Sequence, residues 1–348
     1  METMHENRPA ATEDADTPLL RVRDLTIEFP AGRKRWVTAV DRVSFDVNPG
    51  ESVALVGESG SGKTVTSLAV MGLTGRTGGR ISGGSVVFDG TDLTAQPDKV
   101  WRAQRGTGMG MIFQQPIRSL NPAFTVGDQI AESVRRHLGV DRKAAMARAV
   151  EMLEMVEIPR AAERVRDYPY AFSGGMCQRV MIAMVMATNP RLLIADEPTT
   201  ALDVTVQDTI LQLLRDLQEQ TGIALLFVSH DLAVVAELCQ KVAVMYAGQV
   251  VEDGTVDDIF FRPGHPYTSG LLSAIPQPGR GAARLSTIRG TIPAAGDWPE
   301  GCRFFDRCDF ARPGLCDVSV PPMVQAGETD FARCVRTHEL THPGVELS

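Results

Sequence analysis

The 348-residue sequence predicts an α/β fold built on a mainly parallel sheet, and three observations carry that prediction. Residues 52–56, 192–195 and 224–228 are short, continuous apolar runs, the pattern of strands buried on both faces. Segments of helical spacing separate them: between Ala144 and Glu157 the apolar positions are Met146, Ala149, Val150, Leu153 and Val156. Strands alternating with helices imply parallel pairing. The first run also leads directly into a Gly-rich turn that opens a helical stretch through Leu68 and Met71.

The other elements follow in chain order. Residues 1–18 carry Glu2, Glu6, Glu13, Asp14 and Asp16 with no apolar segment, and predict a disordered leader rather than a signal peptide. Between Leu19 and Val56 the pattern is strand-like: Val22, Leu25 and Ile27 lead to Phe29, and Val43-Ser44-Phe45-Asp46-Val47 alternates. After Ile275, Pro276, Pro278, Gly279 and Gly281 punctuate a linker, and four of the six cysteines follow, so a domain boundary is expected at 276, with 276–348 as a small C-terminal domain. Composition excludes several classes. Hydrophobic residues make up 43% and charged residues 22%, enough apolar material to rule out wholesale disorder. With 35 Lys+Arg against 43 Asp+Glu the net charge is −8, which argues against a nucleic-acid partner bound by bulk charge. The longest apolar run, residues 180–187, falls far short of a membrane span.

The turn Gly57-Glu58-Ser59-Gly60-Ser61-Gly62-Lys63-Thr64 fits G-x-x-x-x-G-K-[ST], the phosphate loop. Its glycines let backbone N–H groups approach phosphate oxygens, and the following helix contributes its positive end. Lys63 would reach the β- and γ-phosphates, and the Thr64 hydroxyl would ligate Mg²⁺. The run at 192–195 ends in Asp196-Glu197. Asp196 stands where a second strand-end carboxylate holds Mg²⁺, and Glu197 where a carboxylate could polarise attacking water. Alone, the loop says only that a nucleoside triphosphate binds.

Further motifs supply the class. Ser173-Gly174-Gly175-Met176, after Tyr168-Pro169-Tyr170-Ala171-Phe172, resembles the signature sequence of ATP-binding cassette (ABC) ATPases. Gln114 resembles the Q-loop glutamine, Ala201-Leu202-Asp203 the D-loop, and His230 the switch histidine, all in family order. The resemblance covers about residues 19–275. It implies an ABC ATPase domain with an antiparallel β subdomain and a helical subdomain at about 115–185. It also implies two cassettes paired head to tail, so that Ser173, Gly174 and Gly175 meet ATP held by the partner's phosphate loop. In that arrangement Glu197 polarises water, His230 contacts the γ-phosphate, and Gln114 senses Mg²⁺. An aromatic ring upstream of the loop should stack on adenine; Phe29 is the first choice and Trp36 the second. Cys177 departs from the family, where Arg is usual; altered local electrostatics are expected, with ATPase activity retained.

Residues 115–127 and His265-Pro266-Tyr267-Thr268-Ser269-Gly270-Leu271-Leu272 resemble oligopeptide and dipeptide importer ATPases, a subfamily that includes nickel and glutathione importers. The resemblance implies ATP hydrolysis at the cytoplasmic face of the cell membrane, as a peripheral subunit. The partners would be two membrane permeases docked on Arg118 to Gly127, a second ATPase (a sister subunit favoured over a second copy) and, indirectly, an extracytoplasmic binding protein. Soluble ABC ATPases and non-hydrolytic switches remain as alternatives. A single phosphate loop weighs against the first, and the set Lys63, Asp196, Glu197 and His230 against the second. Cys302, Cys308, Cys316 and Cys334, with His338 beyond, are spaced C-x5-C-x7-C-x17-C. In a cytoplasmic chain disulfides are disfavoured, and the close pairs of zinc sites are absent. The surroundings of Cys302 and Cys308 resemble peptide-importer tails, some of which hold a 4Fe–4S cluster. A cluster, zinc and four free thiols all stay open, whereas Cys239 reads as an ordinary core thiol.

Overall fold

The computed structural model describes residues 17–32, 35–114, 119–200, 203–275 and 287–345. All but Thr17 and Pro18 of the expected leader lie outside the described residues, as do Gln115 to Arg118, Ala201 and Leu202 of the D-loop, and the linker at Pro276, Pro278, Gly279 and Gly281.

An antiparallel sheet is formed by β1 (Leu20–Pro30), β2 (Trp36–Val47), β4 (Arg80–Phe88) and β5 (Thr91–Asp92), in the order β2-β1-β4-β5. The larger sheet takes β3 (Ser52–Val56), β6 (Met109–Ile112), β7 (Leu192–Asp196), β8 (Ala224–Ser229), β9 (Lys241–Tyr246), β10 (Gln249–Thr255), β11 (Val324–Gln325) and β12 (Phe331–Ala332). Its order is β11-β12-β10-β9-β3-β8-β7-β6. The five strands from β9 to β6 are parallel, and β10, β12 and β11 extend the sheet antiparallel. The predicted parallel α/β architecture, with its antiparallel subdomain, is therefore present.

The apolar runs are continuous because both faces of the sheet are covered. Ala54, Val56, Leu193, Ala195, Leu225 and Phe227 belong to one core cluster, and their alternating neighbours Val53, Leu55, Leu192, Ile194, Leu226 and Val228 to a second. The first core contains the helical module, α3 (Val126–Leu138), α4 (Arg142–Met155), α5 (Ala161–Arg164) and α6 (Gly174–Met186); α1 (Lys63–Val70) and α2 (Asp98–Gln104) pack on the second. Local chemistry sets the boundaries. Thr125 caps α3 by accepting from Asp128 N–H, Asp141 caps α4 through Ala144 N–H, and α3 stops at Gly139 in left-handed geometry, φ 68°. Among the described residues no helix is long and apolar enough to cross a membrane.

The helices α7 (Val204–Thr221), α8 (Leu232–Leu238), α9 (Val256–Phe261) and α10 (Pro266–Ser273) complete the layer, and residues 287–345 then fold back on it. Phe304 is buried edge-on against Tyr246 and Tyr267, with ring centroids 5.2 and 5.4 Å away. The hairpin β11–β12 pairs with β10 at Glu252↔Ala332 and Asp253↔Phe331, so sheet and core continue across the boundary expected at 276.

Glu252 sits in this junction with no solvent exposure, accepting from the backbone N–H groups of Gly264 and His265. Burial raises its pKa from 4.5 to about 8, against the downward pull of those donors. The folded chain thus keeps a proton that the unfolded chain releases, and for this group stability falls as pH rises from about 5 through 8. A Glu252→Gln variant is expected to flatten the pH dependence of the thermal midpoint over that window. An unaltered slope would refute the assignment.

Candidate functional site: a phosphate loop walled by the C-terminal segment

Strand β3 delivers the chain into Gly57, where φ is 148°, and a Cβ built there would lie 2.2 Å from the Met245 carbonyl oxygen. Only glycine fits so close to β9. Gly60 and Gly62 also have positive φ, 85° and 108°, and Gly62 caps α1. The loop therefore wraps back so that α1 starts at Lys63. The Lys63 ammonium is buried and donates to the carbonyls of Gly57 (2.6 Å) and Glu58 (3.1 Å). Burial lowers its pKa, and Glu197, Asp196 and Glu58 offset part of that fall. An ammonium satisfied by two carbonyls at a helix N-terminus can exchange them for phosphate oxygens.

Two strands away, β7 ends at Asp196, whose Oδ1 accepts from Thr64 Oγ1 at 3.1 Å. Desolvation raises Asp196 to about 6, outweighing the Thr64 hydrogen bond and the Lys63 charge that lower it. A hydroxyl and a carboxylate already in contact form a donor pair suited to Mg²⁺. Glu197 follows in left-handed geometry, φ 47°, with its N–H on the Val228 carbonyl at 2.9 Å. Its Oε2 accepts from Gln114 Nε2 at 2.7 Å and Thr200 Oγ1 at 3.0 Å, and its Oε1 lies 3.5 Å from His230 Nδ1. Residues from β6, β7 and β8 ends thus meet in front of α1. Gly57, Glu58, Ser59, Gly60, Gly62, Lys63, Thr64, Gln114, Glu197 and His230 all line one cavity of about 1000 Å³. Ser61 is buried beneath the loop and Asp196 beneath Thr64.

The remaining predicted residues lie elsewhere. Ser173 caps α6 by accepting from Met176 N–H at 3.4 Å, and Gly175 packs so tightly that an added Cβ would lie 2.5 Å from a Val206 methyl. Neither these two nor Gly174 lines the cavity. Cys177 is buried in α6 beside the carbonyls of Pro169 and Phe172, and burial raises its thiol pKa, so here it is a neutral packing group. Phe29 packs against Gly79, and Trp36 carries the Arg80 guanidinium 4.0 Å above its ring; neither ring lines the cavity. Cys239 is a buried thiol with its pKa pushed up by desolvation.

Sequence reasoning missed the wall supplied by the C-terminal segment. Gly290 to Ala295 and Trp298 line the same cavity as the phosphate loop. Arg307 Nη2 donates to both carboxylate oxygens of Glu58, at 3.0 and 3.1 Å, while Tyr267 Oη accepts from Glu58 N–H at 2.9 Å. The signal was weak: an arginine one residue before Cys308 and a lone tryptophan in a Pro/Gly-rich stretch. Cys302, Cys308, Cys316 and Cys334 line a second pocket of about 20 Å³ with Phe304 and Arg336. All four are free thiols, and burial raises Cys302 to about 12 and Cys308 to about 11. Arg336 N–H donates to Cys334 Sγ at 3.4 Å, and His338 is exposed and absent from the lining. Among the described residues no group of three or more His, Cys, Asp or Glu is arranged to hold a single metal ion.

A phosphate loop with strand-end carboxylates, and a Ser-Gly-Gly turn set apart on a helical module, are the arrangement of ABC-type ATPases, which use ATP and Mg²⁺. Residues 40–200 match the family described as ABC transporter, and residues 251–316 the one described as oligopeptide/dipeptide transporter, C-terminal region. The chain is 49% identical over 316 residues to the oligopeptide transport ATP-binding protein AppD of Bacillus subtilis, covering 91% of this chain and 96% of that protein. It is 49% identical over 293 residues to the dipeptide transport ATP-binding protein DppD of Haemophilus influenzae, covering 84% and 88%. The dimeric cassette MJ0796, solved in a post-hydrolysis state bound to ADP and Pi, superposes with a TM-score of 0.61 at 27% identity, covering 68% of this chain and 98% of that one. The chain belongs to the oligopeptide/dipeptide family of ABC transporter ATP-binding proteins.

Glu197→Gln is expected to lower steady-state phosphate release by about 10²-fold or more, the scale of a lost general base, while ATP binding persists. Unchanged release from this variant would exclude Glu197 as the group that activates water.

Proposed function

We propose that this chain is the ATP-hydrolysing subunit of a peptide importer, working at the cytoplasmic face of a membrane permease. The observation that carries the reading is the match of residues 251–316 to the oligopeptide/dipeptide transporter C-terminal region, joined to a complete set of nucleotide motifs. The relatives are named for oligopeptide and dipeptide transport, which supports peptides as cargo.

In this reading two cassettes close head to tail. Lys63 and the loop N–H groups hold the phosphates, and Thr64 and Asp196 hold Mg²⁺ with Gln114 beside it. Glu197 orients and deprotonates the attacking water, and His230 steadies the γ-phosphate. Ser173, Gly174 and Gly175 of one chain close the site on its partner, their N–H groups at the start of α6 facing the phosphate. Placement of that turn outside the chain's own cavity supports a role in trans. The partner cassette is a sister subunit, a binding protein delivers substrate from outside, and the segment up to Gly127, including the exposed Phe124, docks on two permease subunits.

Cys302, Cys308, Cys316 and Cys334 would hold a 4Fe–4S cluster, which would supply a structural cross-link. The donor set fits: four free thiols converge on one pocket, and an N–H group already points at Cys334 Sγ. Such a cluster would take four separate thiolates and would not need the single-ion site that is missing among the described residues. The raised thiol pKa values belong to the uncharged cysteines, and binding would release their protons.

Purification of the chain from its native membranes in mild detergent, followed by mass spectrometry, is expected to recover two multi-span permeases and a second ATPase. Recovery of only ribosomal or DNA-bound partners would overturn the importer reading. Anaerobic material should show broad absorption near ~400 nm with iron and sulfide. Colourless protein without iron would remove the cluster and leave the ATPase intact.

A further inference from the structure

Two chemically different groups of residues line the nucleotide cavity. One is the phosphate loop. The other is formed by Ala39 and a stretch of the C-terminal segment that includes Ile292, Pro293 and Trp298, and it is apolar. None of the aromatic residues upstream of the loop lines it: Phe29 is packed on Gly79, Trp36 carries Arg80 over one face of an exposed ring, and Phe45 is buried in the core. A nucleoside triphosphate whose phosphates occupy the loop must place its base against some surface, and an apolar aromatic one is the kind that bases stack on.

This wall is built rather than incidental. Two arginines from the turn between Cys302 and Cys308 hold its two ends. Arg307 donates from Nε to the Arg289 carbonyl at 2.8 Å while its other arm grips Glu58 of the phosphate loop. Arg303 lies over the Trp298 indole, 3.5 Å from the ring centroid, and is itself fixed by the Ala247 carbonyl at 2.5 Å and by Asp41. Gly248 makes room for the ring: a Cβ there would lie 2.9 Å from the indole edge. Between the anchors the backbone turns at Gly290 and Gly296, with φ of 73° and 93°, and closes an Asp297 N–H to Ala294 carbonyl bond at 3.0 Å. An indole held in place by a guanidinium and bordering the cavity is preorganised to receive a ring.

We propose that Trp298, supported by Ile292 and Pro293, forms the base subsite for ATP, so that the C-terminal segment binds the nucleotide in the same chain as the phosphate loop. Trp298 stacks on the purine, and Arg303 is a positioning residue that acts through it. The proposal rests on ATP being the ligand of the cavity.

Binding of Mg-ATP and of Mg-tripolyphosphate, which has the phosphates but no base, separates the possibilities. On the full chain, Trp298→Ala is expected to weaken ATP about tenfold and leave tripolyphosphate unchanged, with Trp298→Phe restoring most of the loss. Phe29→Leu should bind ATP within about twofold of the parent chain. In a Trp36→Phe, Trp101→Phe variant, where Trp298 is the sole indole, ATP should shift the fluorescence and tripolyphosphate should not. Equal weakening of both ligands, or of neither, overturns the subsite, as does a tenfold loss in the Phe29 variant alone. A parent chain that binds tripolyphosphate but no nucleotide would overturn the ATP reading itself.

Discussion

The buried ammonium of Lys63 is the group around which the rest is arranged. A cation removed from water is costly unless its donors are satisfied and opposite charge stands nearby. The carbonyls of Gly57 and Glu58 meet the first need, which requires the loop to curl around the side chain and explains the positive φ at Gly57, Gly60 and Gly62. Asp196 and Glu197 meet the second, which requires β7 to lie close to β3 with only β8 between them. Parallel pairing brings all these carboxyl ends to one edge, so the strand order places both carboxylates within reach of that single charge.

Much of this was readable from the residues because it is local. The G-x-x-x-x-G-K-[ST] turn, the acidic pair ending an apolar strand, and the caps at Thr125, Asp141 and Ser173 each depend on a few consecutive side chains. Gln114 and His230 became legible only as members of an ordered set, and the fold brings both to Glu197. Phe29 is singled out by its place upstream of the loop, where the sequence does not give the register. The register of β1 against β2 shifts between Val22 and Leu25, between Leu25 and Ile27, and again between Ile27 and Glu28, and such bulges re-aim the side chains that follow.

The C-terminal segment was the least legible part. Its strands have two residues each, too few for any pattern, and its position depends on long-range partners: Phe304 among Tyr246 and Tyr267, Arg303 on Asp41, Arg307 on Glu58. Composition marked a change after Ile275, and this was read as a boundary. The change records a different way of holding a chain in place, by arginine bridges and ring contacts in a stretch with little regular backbone pairing. Cysteines and phosphate loop are thereby neighbours in space, joined through the turn that bears Arg303 and Arg307.

The short hairpin β11–β12 has one more effect. Without it β10 would be the outermost strand of the sheet, seven residues long, with its peptide groups open along one side. Such an edge recruits strands from other molecules. Two ladder positions, Glu252 and Asp253, are enough to occupy its centre, and the Arg333 backbone N–H adds a bond to the Val251 carbonyl at 2.7 Å. The tail therefore covers this edge, and a chain cut short before residue 287 would leave the outer peptide groups of β10 unpaired.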